Sequence, residues 1–188
     1  MKKLLCTATV LVAVTMPAQA DDLFNPYIGA DYQLTRLNYD GGEDDNFNGF
    51  NVHVGNRFND YLGIELGYFR TGEESSTGNI AGVPVTIKGR LYGATLDALG
   101  YYPVTQDKSI ELIGTAGVSY IRGEVDATVG GINVSDDASE WGFRAGAGAQ
   151  YNITDNVNVR GLARYQTADL DDIADEAWVY TFGMNYSF

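Results

Sequence analysis

The chain has 188 residues, and its 25 Asp and Glu residues outnumber its 12 Lys and Arg residues to give a formal net charge of −13. This acidic balance argues against nucleic-acid binding, which depends on a basic surface patch. The 23 glycines, 13 tyrosines and 8 phenylalanines, together with the scarcity of long helical patterns, favour an all-β structure.

The first twenty residues have the pattern of a secretory signal peptide. Two lysines form a positive n-region, residues 4–14 form an apolar core, and 18–20 is a small-x-small cleavage site. We therefore expect secretion through the inner membrane, cleavage after Ala20 and a mature domain of residues 21–188. A retained N-terminal anchor is the alternative. Cys6, the only cysteine, lies too early for lipoprotein cleavage.

Eight later segments alternate apolar and polar residues with a period of two, which is typical of strands with two different faces. No later stretch is apolar enough for a membrane helix, whereas a tilted strand crosses the hydrocarbon layer with about 9–11 residues. The predicted strands are 27–37, 50–58, 61–71, 86–102, 110–123, 141–151, 157–167 and 178–188.

The connections between these segments alternate in length. Short turns are predicted at 59–60, 104–109 and 152–156, and longer loops at 38–49, 72–85, 124–139 and 168–176. The long loops carry most of the acidic residues. Short turns on one side and long loops on the other are typical of an outer-membrane barrel. We therefore predict an all-β, eight-stranded, antiparallel up-and-down transmembrane β-barrel with both ends on the short-turn side.

The last segment ends on alternating aromatic residues, Tyr186 and Phe188. This ending resembles the C-terminal signal of bacterial outer-membrane barrels, and it implies the barrel-assembly machinery and periplasmic chaperones as partners. The buried last strand of a soluble sandwich is the alternative interpretation.

The cost of placing a charge against lipid predicts which face of each strand points inward. An Arg or Lys at the midplane of the lipid face costs about 2–4 kcal/mol, and a carboxylate costs less. We therefore expect Glu65, Asp97, Arg144, Arg160 and Arg164 to point into the barrel. The aromatic residues near strand ends fit two interfacial girdles: Tyr68, Tyr92, Tyr102, Tyr120, Trp141, Tyr151, Tyr165 and Trp178.

Several motifs resemble the OmpA-like transmembrane domain, and the broader outer-membrane β-barrel family is similar too. They are Asn-Asp-Tyr-Leu-Gly-Ile-Glu-Leu-Gly-Tyr at 59–68, Leu-Gly-Tyr-Tyr-Pro-Val-Thr at 99–105, Gly-Ala-Gln-Tyr-Asn-Ile-Thr at 148–154, Arg-Tyr-Gln at 164–166 and Gly-Met-Asn-Tyr-Ser-Phe at 183–188. The resemblance implies inward charges that pair across the lumen and act as a gate. Glu65 matches that family's inward glutamate, whereas Gln150 departs from its second one. We expect no C-terminal peptidoglycan-binding domain and no cell-wall tethering.

The lumen charges form the candidate site. The three arginines are expected to pair with three carboxylates: Arg144, Arg160 and Arg164 with Glu65, Asp97 and Glu111. Our hypothesis is that Glu65 and at least one arginine form the main lumen ion pair, because buried charges must be paired or hydrated. The pairs either fill the lumen or gate a pore of very low conductance.

Catalysis finds little support in the sequence. His53 is the only histidine and is expected inside the barrel, without a serine at neighbouring positions. We predict no enzyme activity, no cofactor and no metal site.

The first functional hypothesis is a structural and interaction barrel whose acidic extracellular loops mediate envelope integrity, adhesion or recognition. The alternatives are a minor low-conductance porin or small-solute channel, and a lipid A-modifying enzyme. We expect a monomer in the cell outer membrane, in contact with outer-membrane lipid and lipopolysaccharide.

Overall fold

A computed structural model describes residues 24–38, 45–80, 83–129, 132–170 and 174–188. The described ranges contain no helix that is long and apolar enough to span a membrane. The predicted signal peptide, residues 1–20, lies outside them, so its cleavage stays a prediction. The strands are β1 Asn25–Asn38, β2 Asp45–Arg57, β3 Leu62–Thr71, β4 Glu74–Ile80, β5 Val83–Pro103, β6 Ile110–Val129, β7 Ile132–Asn152, β8 Val157–Leu170 and β9 Ala174–Ser187.

Eight of these strands close into a ring. Every pairing is antiparallel, β3 pairs with β5, and β9 returns to β1, where Tyr27 lies opposite Ser187. The remaining strand, β4, pairs with β5 outside the ring. The predicted eight-stranded antiparallel barrel is therefore confirmed. Closure pairs the backbone groups of every wall strand, which a membrane-spanning sheet requires.

The two faces of the wall differ as the alternation predicts. Along β3 the side chains alternate between exposed and buried, so that Leu66 is 54% exposed and the next residue toward the N-terminus, Glu65, is 2% exposed. The outer face of the ring carries large exposed apolar side chains on seven of the eight wall strands, and the outward residues of β8 are half-buried. A contiguous apolar surface of this size is typical of a membrane-facing wall.

Three of the four predicted long loops are mostly strand, which corrects the sequence prediction. Residues 74–80 form β4, and β6 and β7 continue until Val129 lies opposite Ile132. Strands β8 and β9 likewise extend into 168–176. The glycine and aspartate content suggested loops, but β-branched residues recur in 72–85 and 124–139 and suit a two-stranded ladder.

Part of the acidic loop sequence is not described. In the first long connection β2 already begins at Asp45. The acidic residues of the long connections that lie outside the described ranges are Asp40, Glu43, Asp44, Asp171 and Asp172.

The opposite end of the barrel has three short turns, as predicted. In the first, Asn59 Oδ1 accepts hydrogen bonds from the backbone N–H groups of Tyr61, at 2.8 Å, and Leu62, at 2.9 Å. Lys108 Nζ, from the second turn, lies 2.6 Å from Asp60 Oδ2, and this contact lowers the pKa of Asp60. The backbone N–H of Phe188 bonds to the Pro26 carbonyl, so β1 and β9 meet at this end.

Two apolar clusters lie inside the barrel, one toward each end. The outer cluster, at the long-hairpin end, consists of Leu37, Phe47, Phe69, Leu91, Ile121 and Ala177. The inner cluster, toward the short turns, consists of Leu99, Tyr101, Ile113 and Leu162. Polar and charged side chains fill the space between them.

Candidate functional site: the charged lumen

The structure places all six predicted lumen residues inside the barrel. Their exposed fractions are 2% for Glu65, 1% for Asp97, 1% for Glu111, 6% for Arg144, 2% for Arg160 and 1% for Arg164. They separate into a central group around Arg160, an outer group that contains Asp97, and a group around Glu111 near the short turns.

Arg160 organises the central group. Its Nη1 donates to Glu65 Oε2 at 2.6 Å and its Nη2 to Glu65 Oε1 at 3.0 Å, which is the bidentate geometry that suits a guanidinium and a carboxylate. The same Nη2 lies 3.1 Å from Asp31 Oδ2. One cation is therefore shared between two buried carboxylates, in strands β1 and β3.

Neutral donors satisfy the remaining lone pairs of these carboxylates. The Tyr27 hydroxyl donates to Glu65 Oε2 at 2.9 Å, and Asn51 Nδ2 donates to Asp31 Oδ2 at 3.1 Å. A buried ion pair recovers its desolvation cost only when such additional bonds are made. The central group meets this condition.

His53 takes part in the central group as a neutral ring. Its Nε2 lies 2.7 Å from Asn185 Oδ1, an acceptor, and its Nδ1 lies 3.3 Å from Nη2 of Arg160, a donor. Asn185 Nδ2 donates to Asn158 at 3.0 Å, which fixes the orientation of the Asn185 amide. These partners assign the proton to Nε2 and leave Nδ1 as an acceptor.

A glycine in β1 provides the space for this histidine. A Cβ added at Gly29 would lie 2.1 Å from Asn185 Oδ1 and 2.2 Å from His53 Nε2. Any larger residue would therefore displace the hydrogen bond between His53 and Asn185.

The outer group has the same residue types but fewer bonds. Arg144 Nη2 lies 2.8 Å from Asp97 Oδ2, and Arg164 Nη2 lies 3.8 Å from Glu65 Oε1. Arg164 Nη1 donates to Thr181 at 3.3 Å. Neither Asp97 oxygen is in hydrogen-bond geometry. Three guanidinium nitrogens are also buried without a hydrogen-bond partner among the described residues: Nε of Arg144, and Nε and Nη2 of Arg164.

Glu111 pairs with an arginine that the sequence hypothesis did not include. Arg57 Nη2 lies 2.6 Å from Glu111 Oε1, and its guanidinium lies 4.2 Å from the centre of the Tyr101 ring. Gln150 Nε2 and Asn152 Nδ2 also donate to Glu111, at 2.9 and 3.2 Å. The expectation that Arg144, Arg160 or Arg164 pairs with Glu111 is therefore wrong.

The sequence did contain a signal for Arg57 and Asp31, the two charged lumen residues that the site prediction missed. Arg57 shares the inward face of β2 with Asn51 and His53, and Asp31 lies on the inward face of β1. Their position in the alternation was enough to place them inside. Their pairing was not visible, because it depends on which strands face each other across the lumen.

The lumen differs at its two ends. A cavity of about 460 Å³ opens at the short-turn end, and its lining includes Tyr27, Arg57 and Gln150. Beneath the outer cluster, between Arg144 and Phe69, the lumen holds a void of about 10 Å³. A void of that size is at the lower limit for one water molecule.

The two C-terminal aromatic residues lie on the outer wall. Tyr186 is 49% exposed and Phe188 is 72% exposed, with their ring centres 5.4 Å apart. Their role as an assembly signal stays a prediction.

No metal site is formed within the described ranges, where no group of three or more His, Cys, Asp or Glu side chains has suitable geometry. The partners of His53 are Asn185, Arg160 and Asp31, at distances of 2.7 to 3.4 Å.

Comparison with known proteins places the chain in a family. The sequence model of the outer membrane protein beta-barrel domain matches residues 6–188. No curated protein matches the chain.

The fold is similar to that of small solved barrels. Ail, the attachment invasion locus protein of Yersinia pestis, is 22% identical with a TM-score of 0.63, and the match covers 88% of this chain and 99% of Ail. Neisserial surface protein A is 20% identical with a TM-score of 0.66, over 87% and 97% of the two chains. The N-terminal barrel domain of Pseudomonas aeruginosa OprF is 15% identical with a TM-score of 0.52, over 88% and 99%.

Proposed function

The chain belongs to the outer membrane protein β-barrel domain family and is located in the outer membrane, and on this premise we propose that it is a structural barrel that presents an acidic hairpin sheet to partners outside the cell. Adhesion or recognition is then the task of the hairpins. The barrel contributes a rigid base and adds to the integrity of the envelope.

The observation that carries this proposal is the length of three neighbouring strands. Strands β5, β6 and β7 contain 21, 20 and 21 residues, whereas a tilted crossing needs about 9–11. About half of each strand therefore projects beyond the membrane, on the side opposite the short turns. With β4 added to β5, the projection is a hydrogen-bonded sheet of four strands and not a set of loose loops.

The charge of the projecting segments indicates the class of partner. The described parts of 74–90 and 122–140, which form the projecting sheet, contain six acidic residues and three cations: Glu74, Glu124, Asp126, Asp136, Asp137 and Glu140 against Lys88, Arg90 and Arg122. In the sequence, the connections 38–49 and 168–176 add nine acidic residues and no Lys or Arg. An Ail structure contains the heparin analogue sucrose octasulfate, a polyanion. The acidic surface of the present chain would repel such a ligand, so we propose a basic protein surface as the partner.

The direct test compares ligands of opposite charge. The purified barrel in zwitterionic nanodiscs should bind an immobilised polylysine surface and not an immobilised heparin surface. Replacing residues 125–136 with Asn-Gly removes the tip of the β6–β7 hairpin and should weaken binding to polylysine. Asp126→Asn with Asp136→Asn is the matched variant that keeps the hairpin and removes the two charges of the replaced tip. Equal binding by all three proteins would refute the proposal.

The alternative is a pore of very low conductance that is gated by the lumen ion pairs. The cavity at the short-turn end, with its polar lining, favours this alternative. Against it, six apolar side chains occupy the outer lumen in the outer cluster. Reconstitution into planar bilayers separates the two. We expect no discrete conductance steps above the protein-free baseline, and steps that respond to Glu65→Ala would favour the pore.

A lipid A-modifying activity is the third and weakest possibility. The histidine that such chemistry would use is 2% exposed and lies in the central group of the lumen, where a lipid does not reach it. Mass spectrometry of lipid A from cells with and without the protein tests this, and we expect identical spectra.

Assembly is proposed to depend on the outward C-terminal aromatics, Tyr186 and Phe188, as a signal for the barrel-assembly machinery and periplasmic chaperones. Deletion of Phe188 should lower the amount of folded barrel in the outer membrane. Unchanged amounts would contradict this role.

A further inference from the structure

The sheet that projects beyond the membrane has two faces of different composition. The registers of β5 with β6 and of β6 with β7 continue without a shift as far as Val129 and Ile132, so the side chains keep alternating between the two faces. Leu91, Ile121 and Ala138 pack in or against the outer cluster. Residues at even spacings from them therefore lie on the side that continues the lumen-facing wall, which we call the inner face. Its described side chains include Ile87, Val125, Ala127, Val134, Asp136, Ala138 and Glu140.

The opposite face of the projecting sheet, the outer face, carries ion pairs. Its three described cations each contact an acid: Lys88 Nζ lies 2.7 Å from Glu73 Oε1, Arg122 Nη2 lies 2.6 Å from Asp137 Oδ2, and Arg90 pairs with Glu124. The positive charges of this face are therefore already engaged within the chain.

The inner face is apolar and exposed at its centre. Ile87 is 47% exposed, Val125 39% and Val134 60%. In the strand register Ile87 lies opposite Ala127, and Ala127 lies opposite Val134. These three side chains form one row across strands that are about 4.8 Å apart, and Val125 lies in the next row. A contiguous exposed apolar patch of this kind is typical of an interaction surface.

The charge that borders this apolar patch has one sign. Asp136 and Glu140 lie on the inner face, whereas none of the described Lys and Arg side chains of the projecting sheet does. A second copy of the chain would bring the same acidic border to the contact. The chain's own connections 38–49 and 168–176 are acidic as well and contain no Lys or Arg. Like charges that face each other are unfavourable, so charge complementarity favours a cationic occupant.

We propose that the inner face binds a basic amphipathic segment of a partner protein. The apolar side chains of that segment cover Ile87, Val125 and Val134, and its Lys or Arg side chains lie against Asp136 and Glu140. Burial of the apolar patch supplies most of the affinity, and the acidic border selects the sign of the charge. The inference rests on the proposed function, because it names the face and the chemistry by which the projecting sheet holds its basic partner.

A pair of synthetic peptides tests this face. One is a helical peptide of leucine and lysine with all its leucines on one side, and the other has the same composition in scrambled order. The barrel is held in zwitterionic nanodiscs, and protein-free nanodiscs give the baseline. The wild type should bind the amphipathic peptide about tenfold more tightly than the scrambled one, since burial of one large apolar side chain is worth that factor.

A double variant locates the binding on the inner face. Ile87→Ser with Val134→Ser should bind the amphipathic peptide about tenfold more weakly than the wild type does. The matched control is Lys88→Ser with Asp126→Ser, because these two residues lie opposite each other on the outer face and their replacement leaves the net charge unchanged. The control should bind like the wild type. Heat-modified electrophoretic mobility verifies that each variant is folded.

Polylysine separates this inference from the proposed function. Wild type and inner-face variant should bind polylysine equally, because polylysine carries charge without an apolar side. Equal binding of the two leucine–lysine peptides by the wild type would overturn the inference, as would an equal loss in the outer-face control. The proposed function would survive either result as long as polylysine still bound, and it would fail only if polylysine did not bind.

Discussion

The central and outer groups of the lumen are built from the same residue types, yet they differ in how completely their charges are bonded. In the central group Arg160 is hydrogen-bonded to both Glu65 and Asp31, and each carboxylate has a further neutral donor. In the outer group Asp97 lies near Arg144 without hydrogen-bond geometry, and three guanidinium nitrogens are buried without a hydrogen-bond partner among the described residues.

The difference shows where the lumen obtains its stability. The central group carries one excess negative charge, because two carboxylates share one arginine and His53 is neutral. The outer group carries one excess positive charge, from two arginines and Asp97. Arg164 Nη2 lies 3.8 Å from Glu65, so the positive charge of the outer group lies next to the negative charge of the central group. The net charges of the two groups therefore cancel, although the two groups are hydrogen-bonded to different extents. Replacing single charged residues should separate the effect of net charge from the effect of hydrogen bonding.

The largest effect is expected from Arg160→Met. Both Glu65 and Asp31 would then be buried without their cation, and breaking such a pair from one side costs about 3–5 kcal/mol. Urea unfolding in detergent micelles, followed by tryptophan fluorescence, measures the loss. Adding Glu65→Gln and Asp31→Asn to the same protein should recover most of it. A loss below about 1 kcal/mol for the single variant would show that the central group is not a stabilising unit.

Truncation of the outer cluster should come next. Phe69 is 5% exposed beside Leu91 and Ile121, so Phe69→Ala leaves a cavity and should cost about 3 kcal/mol in the same unfolding measurement. Phe24→Ala, at a position that is 50% exposed just before β1, is the matched control and should cost clearly less. If both variants lost the same free energy, the outer cluster would not be a packed core.

Arg164→Met should have a much smaller effect than Arg160→Met. Its guanidinium makes one hydrogen bond, to Thr181 at 3.3 Å, and replacing a poorly bonded buried charge by an apolar side chain of similar size is often neutral or stabilising. We expect a change within about 1 kcal/mol in either direction. A loss as large as that of Arg160→Met would mean that the excess positive charge, and not the hydrogen bonding, holds the lumen together.

The direction of each side chain could be predicted from the sequence, as could the pairing of Glu65 and Asp97 with lumen arginines, which the structure shows for Arg160 and Arg144. The partner of Glu111 could not be predicted. Alternation placed Glu65, Asp97 and Arg164 inside, because a strand has a period of two and lipid excludes charge. The partner of Glu111 depends on the shear between β2 and β6, which no local pattern encodes, and Arg57 was therefore missed. The extended hairpins were missed because a local pattern was misleading. Glycine and aspartate usually indicate loops, but here a long ladder of strand pairing holds these residues in strands.

The smallest effect is expected at the exposed pair in the short turns. Lys108 Nζ lies 2.6 Å from Asp60 Oδ2, the same separation as Arg160 from Glu65, yet both side chains are more than half exposed. Water screening limits such a pair to about 0.5 kcal/mol, so Lys108→Ala should lower the free energy of unfolding by no more than that. Because the contact lowers the pKa of Asp60 in the folded state, its contribution is present above the ordinary pKa of Asp and is lost as the pH falls through the lowered value. The difference in the free energy of unfolding between wild type and variant should therefore disappear in acid. A difference that persisted in acid would show that Lys108 acts through the backbone of its turn, where its φ is 54°, and not through its charge.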